Sequence, residues 1–286
     1  MQIPEDFAAG VLQERGAAGQ LWLAELPHRL DHYCRLWSVQ LEGPPWHGYL
    51  GLVWPVSRGA QKLALKLTWV DLETAQEAAA LRHWAGKGAV RLLEDEPGAL
   101  LLERLQAGQS LDRQPLEAAL EVSASLLRRL SIPATPEFLE MGAYTRELFA
   151  LARARWSELG KPFAEEWLLP PPDPARDLLV NQDLHYANVL AGEREPWLVI
   201  DPKPLRGDPE FALAPLLWNR FEEGKISERF EQLVRLAGLD RQRALKWSCF
   251  RVMEYWLWAL HLGLTQDPRR CSRLMEELTA LHQASP

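Results

Sequence analysis

Leu178-Leu179-Val180-Asn181-Gln182-Asp183-Leu184-His185-Tyr186-Ala187-Asn188-Val189-Leu190, followed by Pro196-Trp197-Leu198-Val199-Ile200-Asp201, is the stretch that decides the reading of this chain. Leu178 to Val180 and Trp197 to Ile200 are short apolar runs bracketing a polar loop. Three polar side chains sit on that apolar frame: Asp183, Asn188 five residues on, and Asp201 at the end of the second run. Phosphoryl transfer from ATP calls for such a set. A carboxylate must accept or orient the proton of the attacking hydroxyl. Oxygen ligands must hold Mg2+ against the phosphates, because magnesium prefers hard oxygen donors. Asp183 suits the first task, and Asn188 and Asp201 suit the second. The plainer alternative has Asp183 and Asn188 closing a turn and Asp201 capping a helix. Turn chemistry explains each residue singly but not the combination.

Upstream of the loop the chain changes character near Gln106. Residues 5–32 read as helical, with Leu12, Leu21, Leu23, Leu26 and Leu30 on one apolar face. Leu36 to Leu41, Tyr49 to Val56 and Lys62 to Thr68 read as three strands joined by turns rich in Gly and Pro, an antiparallel meander. A helix over Ala75 to Trp84 follows, with Asp71 able to cap it and Gly86 and Gly88 ending it. Ala89 to Leu93 and Ala99 to Leu105 read as two more strands, separated by the acidic turn Glu94-Asp95-Glu96-Pro97. The expectation is a five-stranded sheet with one inserted helix. Beyond it, Leu116 to Leu130 and Tyr144 to Leu159 are amphipathic helices, the Pro-rich segment 169–174 breaks the run, and the chain from Phe211 onward is helical again. The fold class is therefore α+β: a small N-terminal sheet lobe over 1–105 and a larger, mostly helical C-terminal lobe over 106–286.

Composition narrows the function classes. With 32 basic and 39 acidic residues the formal charge is −7, which argues against a general nucleic-acid binder. Cys34, Cys249 and Cys271 are too few and too widely spaced for a disulfide framework or a zinc site, and they fit reduced thiols in the cytoplasm. No run approaches the roughly 20 apolar residues of a membrane span, and Met1 to Asp6 lacks the basic start and apolar run of a signal peptide. The expected partner is a small-molecule substrate, with no nucleic acid and no membrane, for a monomer or homodimer.

Asp-Leu-His at 183–185, Asn-Val-Leu at 188–190 and the strand ending Ile200-Asp201 together resemble the aminoglycoside phosphotransferase family, part of the protein-kinase-like superfamily. The continuation Asp201-Pro202-Lys203-Pro204-Leu205-Arg206-Gly207-Asp208-Pro209 is similar to the aminoglycoside 6-phosphotransferase and hydroxyurea phosphotransferase branch, which includes streptomycin kinases. The resemblance implies a bilobal kinase-like fold, with ATP and Mg2+ as cofactors. It gives Asp183 as catalytic base and Asn188 and Asp201 as magnesium ligands. In strand three it marks Lys66 for the phosphates, paired with Glu77 of the following Glu-Ala-Ala-Ala-Leu helix, or with Glu73 one turn earlier. The Leu100 to Leu105 run resembles the strand into the interlobe hinge, placing the Glu103 carbonyl and Leu105 amide at the adenine edge. The alternatives are a solvated strand lysine and a surface helix glutamate.

Acidic residues near the loop (Asp208, Glu210, Glu222 and Glu254) could meet a cationic sugar, and Trp218 could flank one. The implied reaction is transfer of the γ-phosphoryl group to a hydroxyl of an aminoglycoside such as streptomycin. Hydroxyurea or another small metabolite is the alternative acceptor, and a nucleotide-binding pseudokinase the alternative class. One departure stands out: Asn181-Gln182 replaces the family's usual His-Gly ahead of the catalytic Asp.

Overall fold

The computed structural model describes residues 3–283. The chain divides into two compact units, one of Met1–Gln106 with Gly192–Pro196, the other of Ala107–Ala191 with Trp197–Pro286.

The first unit opens with α1 (Glu5–Leu36), two helical segments joined at Gly16, whose φ of 53° breaks the regular backbone. The strands β1 (Gln40–Leu41), β2 (Trp46–His47), β3 (Gly51–Arg58) and β4 (Gln61–Thr68) follow, then α2 (Glu77–Trp84), β5 (Leu92–Glu96) and β6 (Ala99–Glu103). They form a six-stranded sheet in the order β1-β3-β4-β6-β5, with β2 on β3, and every pair is antiparallel. Side chains alternate across a strand. Leu63, Leu65 and Leu67 of β4 and Leu52, Trp54 and Val56 of β3 therefore share one core with Val11, Leu26 and Leu30 of α1. The intervening Lys66 belongs to the opposite face.

Several boundaries differ from the expectation. The first strand is only Gln40–Leu41, because α1 continues to Leu36. Tyr33 stacks on Trp37 at 4.9 Å, which anchors that last turn before Ser38 reverses the chain at a φ of 52°. Asp71 caps a turn rather than the helix proper: its Oδ1 accepts from the N–H groups of Glu73 and Thr74, and regular helix starts at Glu77. The acidic segment 94–96 extends β5 after a bulge between Leu92 and Glu94.

The second unit starts beside the boundary with β7 (Gln106–Ser110), then α3 (Leu116–Leu130), α4 (Met141–Glu158), β8 (Leu178–Asn181), β9 (Val189–Ala191), β10 (Trp197–Val199) and β11 (Pro204–Gly207). It ends with α5 (Ala214–Trp218), α6 (Ile226–Ala237), α7 (Arg241–His261) and α8 (Gln266–Gln283). The short strands make two small sheets, β10-β9-β7 and β11-β8. The core is built from large apolar side chains such as Phe211, Phe230, Trp247, Phe250 and Leu257, all fully buried. Among the described residues no helix is long and apolar enough to cross a membrane. The three thiols are free, and burial pushes that of Cys249 up to about 12, so it stays protonated.

Close approach of β11 to the start of α4 explains Gly207. A Cβ there would lie 2.6 Å from Cβ and 2.7 Å from Sδ of Met141. Gly207→Ala is expected to destabilise the chain by about 1–3 kcal/mol through overpacking. A lowered urea midpoint at unchanged slope is the result that checks it.

Candidate functional site

Each of the two units holds residues that the sequence singles out. In the first, the Lys66 ammonium lies 2.7 and 2.6 Å from the two Glu77 oxygens. The residues are only 5% and 2% exposed. Two charges removed from water at this depth persist only when closely paired. The pair spans from the face of β4 opposite the α1 core to the first turn of α2.

Glu103 ends β6, and Leu105 lies just beyond it. The Glu103 carboxylate accepts from Arg194 at 2.6 Å and from the Arg91 amide at 2.7 Å. Arg194 also donates to the carbonyls of Gly86 and Ala89, and Glu195 accepts from the Gly88 amide. Hydrogen bonding to Glu103 holds the guanidinium above its ordinary pKa. The sequence reading has no counterpart for this return of residues 192–196 into the first unit. Its partners lie about ninety or more positions away, and no local pattern encodes them.

In the second unit the polar loop is closed at its neck by Asn181. β8 and β11 pair so that Asn181 faces Pro204. The Asn181 Oδ1 accepts from the amides of Asp183 at 3.1 Å and Lys203 at 3.0 Å, and the Gln182 amide donates to the Lys203 carbonyl at 3.0 Å. Further along, Asn188 Nδ2 donates to the Asp183 carbonyl at 3.4 Å, and the Ile200 amide donates to the Asn188 carbonyl at 2.9 Å. Asn188 and Asp201 thus flank the same end of the β9–β10 hairpin, where Val189 pairs with Val199. Asp201 itself takes a φ of 51°, a left-handed conformation costly for a non-glycine residue. Leu184 and Tyr186 anchor the loop from below. Burial raises the Tyr186 phenol, which stays protonated and donates to the Leu216 carbonyl at 2.9 Å.

The departure at 181–182 is accommodated rather than disruptive. Asn181 supplies the double acceptor just described, and Gln182 is buried, with its Oε1 accepting from Arg251 at 3.3 Å. The Arg251 guanidinium in turn lies over the rings of Phe211 and Trp218. Trp218 stacks on Tyr255 at 4.9 Å, and Tyr255 on Trp258 at 5.5 Å.

The acidic residues proposed for an acceptor separate sharply. Asp208 is 0% exposed. One oxygen accepts from the amides of Ala175 and Arg176, the other from Trp247 Nε1 and the Arg243 guanidinium. Glu210 is equally buried and accepts from the Asp240 amide and Arg176. Both carboxylates are engaged with interior donors rather than standing on the surface. Glu254 faces Arg155 at 3.9 Å, and the exposed Glu222 faces Arg273 at 3.8 Å.

Each unit by itself carries groups with a chemical use. An amide oxygen and a carboxylate are hard ligands of the kind Mg2+ takes, and a lysine held by a glutamate is the cation phosphoryl transfer uses against the phosphates.

Residues 36–263 match the family described as aminoglycoside/hydroxyurea antibiotic resistance kinase. The chain is 42% identical over 285 residues to a hydroxyurea phosphotransferase of Kitasatospora aureofaciens, covering 94% of this chain and 84% of that one. It is 36% identical over 287 residues to a streptomycin 6-kinase of Streptomyces glaucescens, covering 92% of each. Among solved structures, a choline/ethanolamine kinase family protein from Mesorhizobium loti superposes with a TM-score of 0.59 at 16% identity, over 86% of this chain and 90% of that one. Aminoglycoside phosphotransferase APH(4)-Ia gives 0.56 at 13% identity, over 92% and 99%. These likenesses establish the kinase-like α+β fold. On the family match and these identities, the chain belongs to the aminoglycoside/hydroxyurea antibiotic resistance kinase family of small-molecule phosphotransferases.

Proposed function

We propose that this protein moves the γ-phosphoryl group of ATP to a hydroxyl of a small molecule in the cytoplasm, as a monomer or homodimer. The observation that carries the reading is the tied loop: Asn188 bonds the Asp183 backbone and Ile200 bonds Asn188, so three oxygen-bearing side chains share one scaffold. Asp183 orients the acceptor hydroxyl and takes its proton. Asn188 and Asp201 are the residues to hold magnesium, which when bound neutralises phosphate charge. Lys66, kept in place by Glu77, serves the phosphates, and the Glu103 carbonyl and Leu105 amide serve the adenine edge.

The first acceptor reading is an aminoglycoside of the streptomycin type, with Glu222, Glu254 and Trp218 as candidate contacts. A second reading, hydroxyurea, is favoured by a specific observation. Asp208 and Glu210 are sealed inside and Glu254 faces an arginine, which depletes the acidic surface a polycation would use. An ADP-release assay with magnesium and ATP, run with streptomycin, with hydroxyurea and with neither, tests the proposal. Acceptor-dependent ADP production supports it; nucleotide binding without turnover on either acceptor would favour the pseudokinase.

Asp201→Ala is expected to weaken magnesium-dependent ADP binding by at least about tenfold, the scale seen when support of a metal site is lost. Calorimetry with and without magnesium reads the effect, and an unchanged magnesium dependence would remove Asp201 from the metal site.

A further inference from the structure

Lys203 stands two residues past Asp201, immediately ahead of β11. Its main chain is gripped on both sides. Its N–H donates to the Asn181 Oδ1 that also receives the Asp183 N–H, and its carbonyl accepts from Gln182. One side chain therefore fixes the backbones of Lys203 and Asp183 relative to each other. The Lys203 ammonium lies 3.6 Å from Asp183 Oδ2, with the two side chains 32% and 28% exposed. A pair this open contributes little to stability. The placement has a chemical use. If Asp183 takes the acceptor proton, a cation within 4 Å of that carboxylate would stand close to the phosphorus that the hydroxyl attacks. Charge spreads over the three equatorial oxygens of the phosphoryl group in flight, and a fixed cation there acts in the transition state.

We propose that Lys203 is a catalytic residue whose ammonium donates hydrogen bonds to the non-bridging oxygens of the phosphoryl group as it transfers. The inference rests on the phosphotransferase reading above. In the step, a bond forms between the acceptor oxygen and the γ-phosphorus. The bond from that phosphorus to the β,γ-bridging oxygen breaks, its electron pair leaving on ADP. The acceptor proton passes to Asp183, and Lys203 keeps its own protons throughout. Asn181, holding both backbones, is the positioning residue for the pair.

The test uses the full chain and the variants Lys203→Met, Lys203→Gln and Lys203→Arg. ADP and magnesium are titrated in the presence and absence of aluminium fluoride, which with ADP mimics the phosphoryl group in transit. The wild type is expected to bind ADP at least about tenfold more tightly with the fluoride. Lys203→Met and Lys203→Gln should keep wild-type ADP affinity and melting temperature yet gain nothing from the fluoride, with kcat down about 10²–10³-fold. Lys203→Arg should recover part of both. Fluoride tightening equal to wild type in the Met or Gln variant would overturn the inference, as would a fall in ADP affinity matching the fall in kcat. Failure of the wild type to bind magnesium–ADP at all would instead sink the phosphotransferase reading itself.

Discussion

Asp183→Ala is expected to lower kcat by about 10²–10⁴-fold while leaving magnesium–ATP affinity and thermal stability close to wild type. The separation follows from how the residue is held. Its structural bonds are main-chain bonds: its amide donates to Asn181 and its carbonyl accepts from Asn188. Alanine keeps both, so the loop retains its shape and only the carboxylate disappears. That carboxylate is partly open and has no core to support. Asp183→Asn preserves the volume and removes only the proton acceptor, so it should fall with alanine rather than with wild type. Steady-state turnover against the preferred acceptor, paired with calorimetry for nucleotide, measures both halves. Turnover within tenfold of wild type in either variant would disqualify Asp183 as the base.

Asp208→Ala is expected to cost about 3–5 kcal/mol of stability, enough to threaten folding outright. The sequence alone makes this residue look like a sugar contact, since it follows the polar loop in a Gly-Asp-Pro string. The structure encloses it. Removing the carboxylate strands the amides of Ala175 and Arg176, the Trp247 indole N–H and the Arg243 guanidinium together. Buried donors left without acceptors each bear a desolvation penalty, and the charged one bears most. Urea denaturation should show the midpoint collapse. The opposite pattern, normal stability with a raised KM for the acceptor, would return Asp208 to the substrate site.

The two aspartates differ in how far their surroundings are local in the sequence. Asp183, Asn188 and Asp201 are legible because their relation is local. Two short apolar runs and a five-residue spacing bring them onto one hairpin, and the backbone bonds that fix them run among residues 181–203. Lys66 is legible because strand alternation makes a charge between Leu65 and Leu67 belong to the face away from their core. Glu77 is legible through the Glu-Ala-Ala-Ala-Leu string it opens, and the structure puts it, rather than Glu73, against Lys66. The first strand misleads because Leu36 and Trp37 carry the same apolar signal whether they end a helix or start a strand. Only the stacking of Trp37 on Tyr33 decides between them.

By itself the sequence determined the α+β class, the polar loop held between two apolar runs, and a lysine and a glutamate on successive elements, β4 and α2, near enough along the chain to pair. Tertiary structure alone decided that Asp208 and Glu210 are interior anchors, that Gln182 reaches Arg251, and that Glu103 is clasped by Arg194. It also decided that Lys203 stands beside Asp183. The physical reason is that burial and ion pairing depend on which distant segments pack together. A carboxylate has the same letter in the sequence whether water or four protein donors surround it.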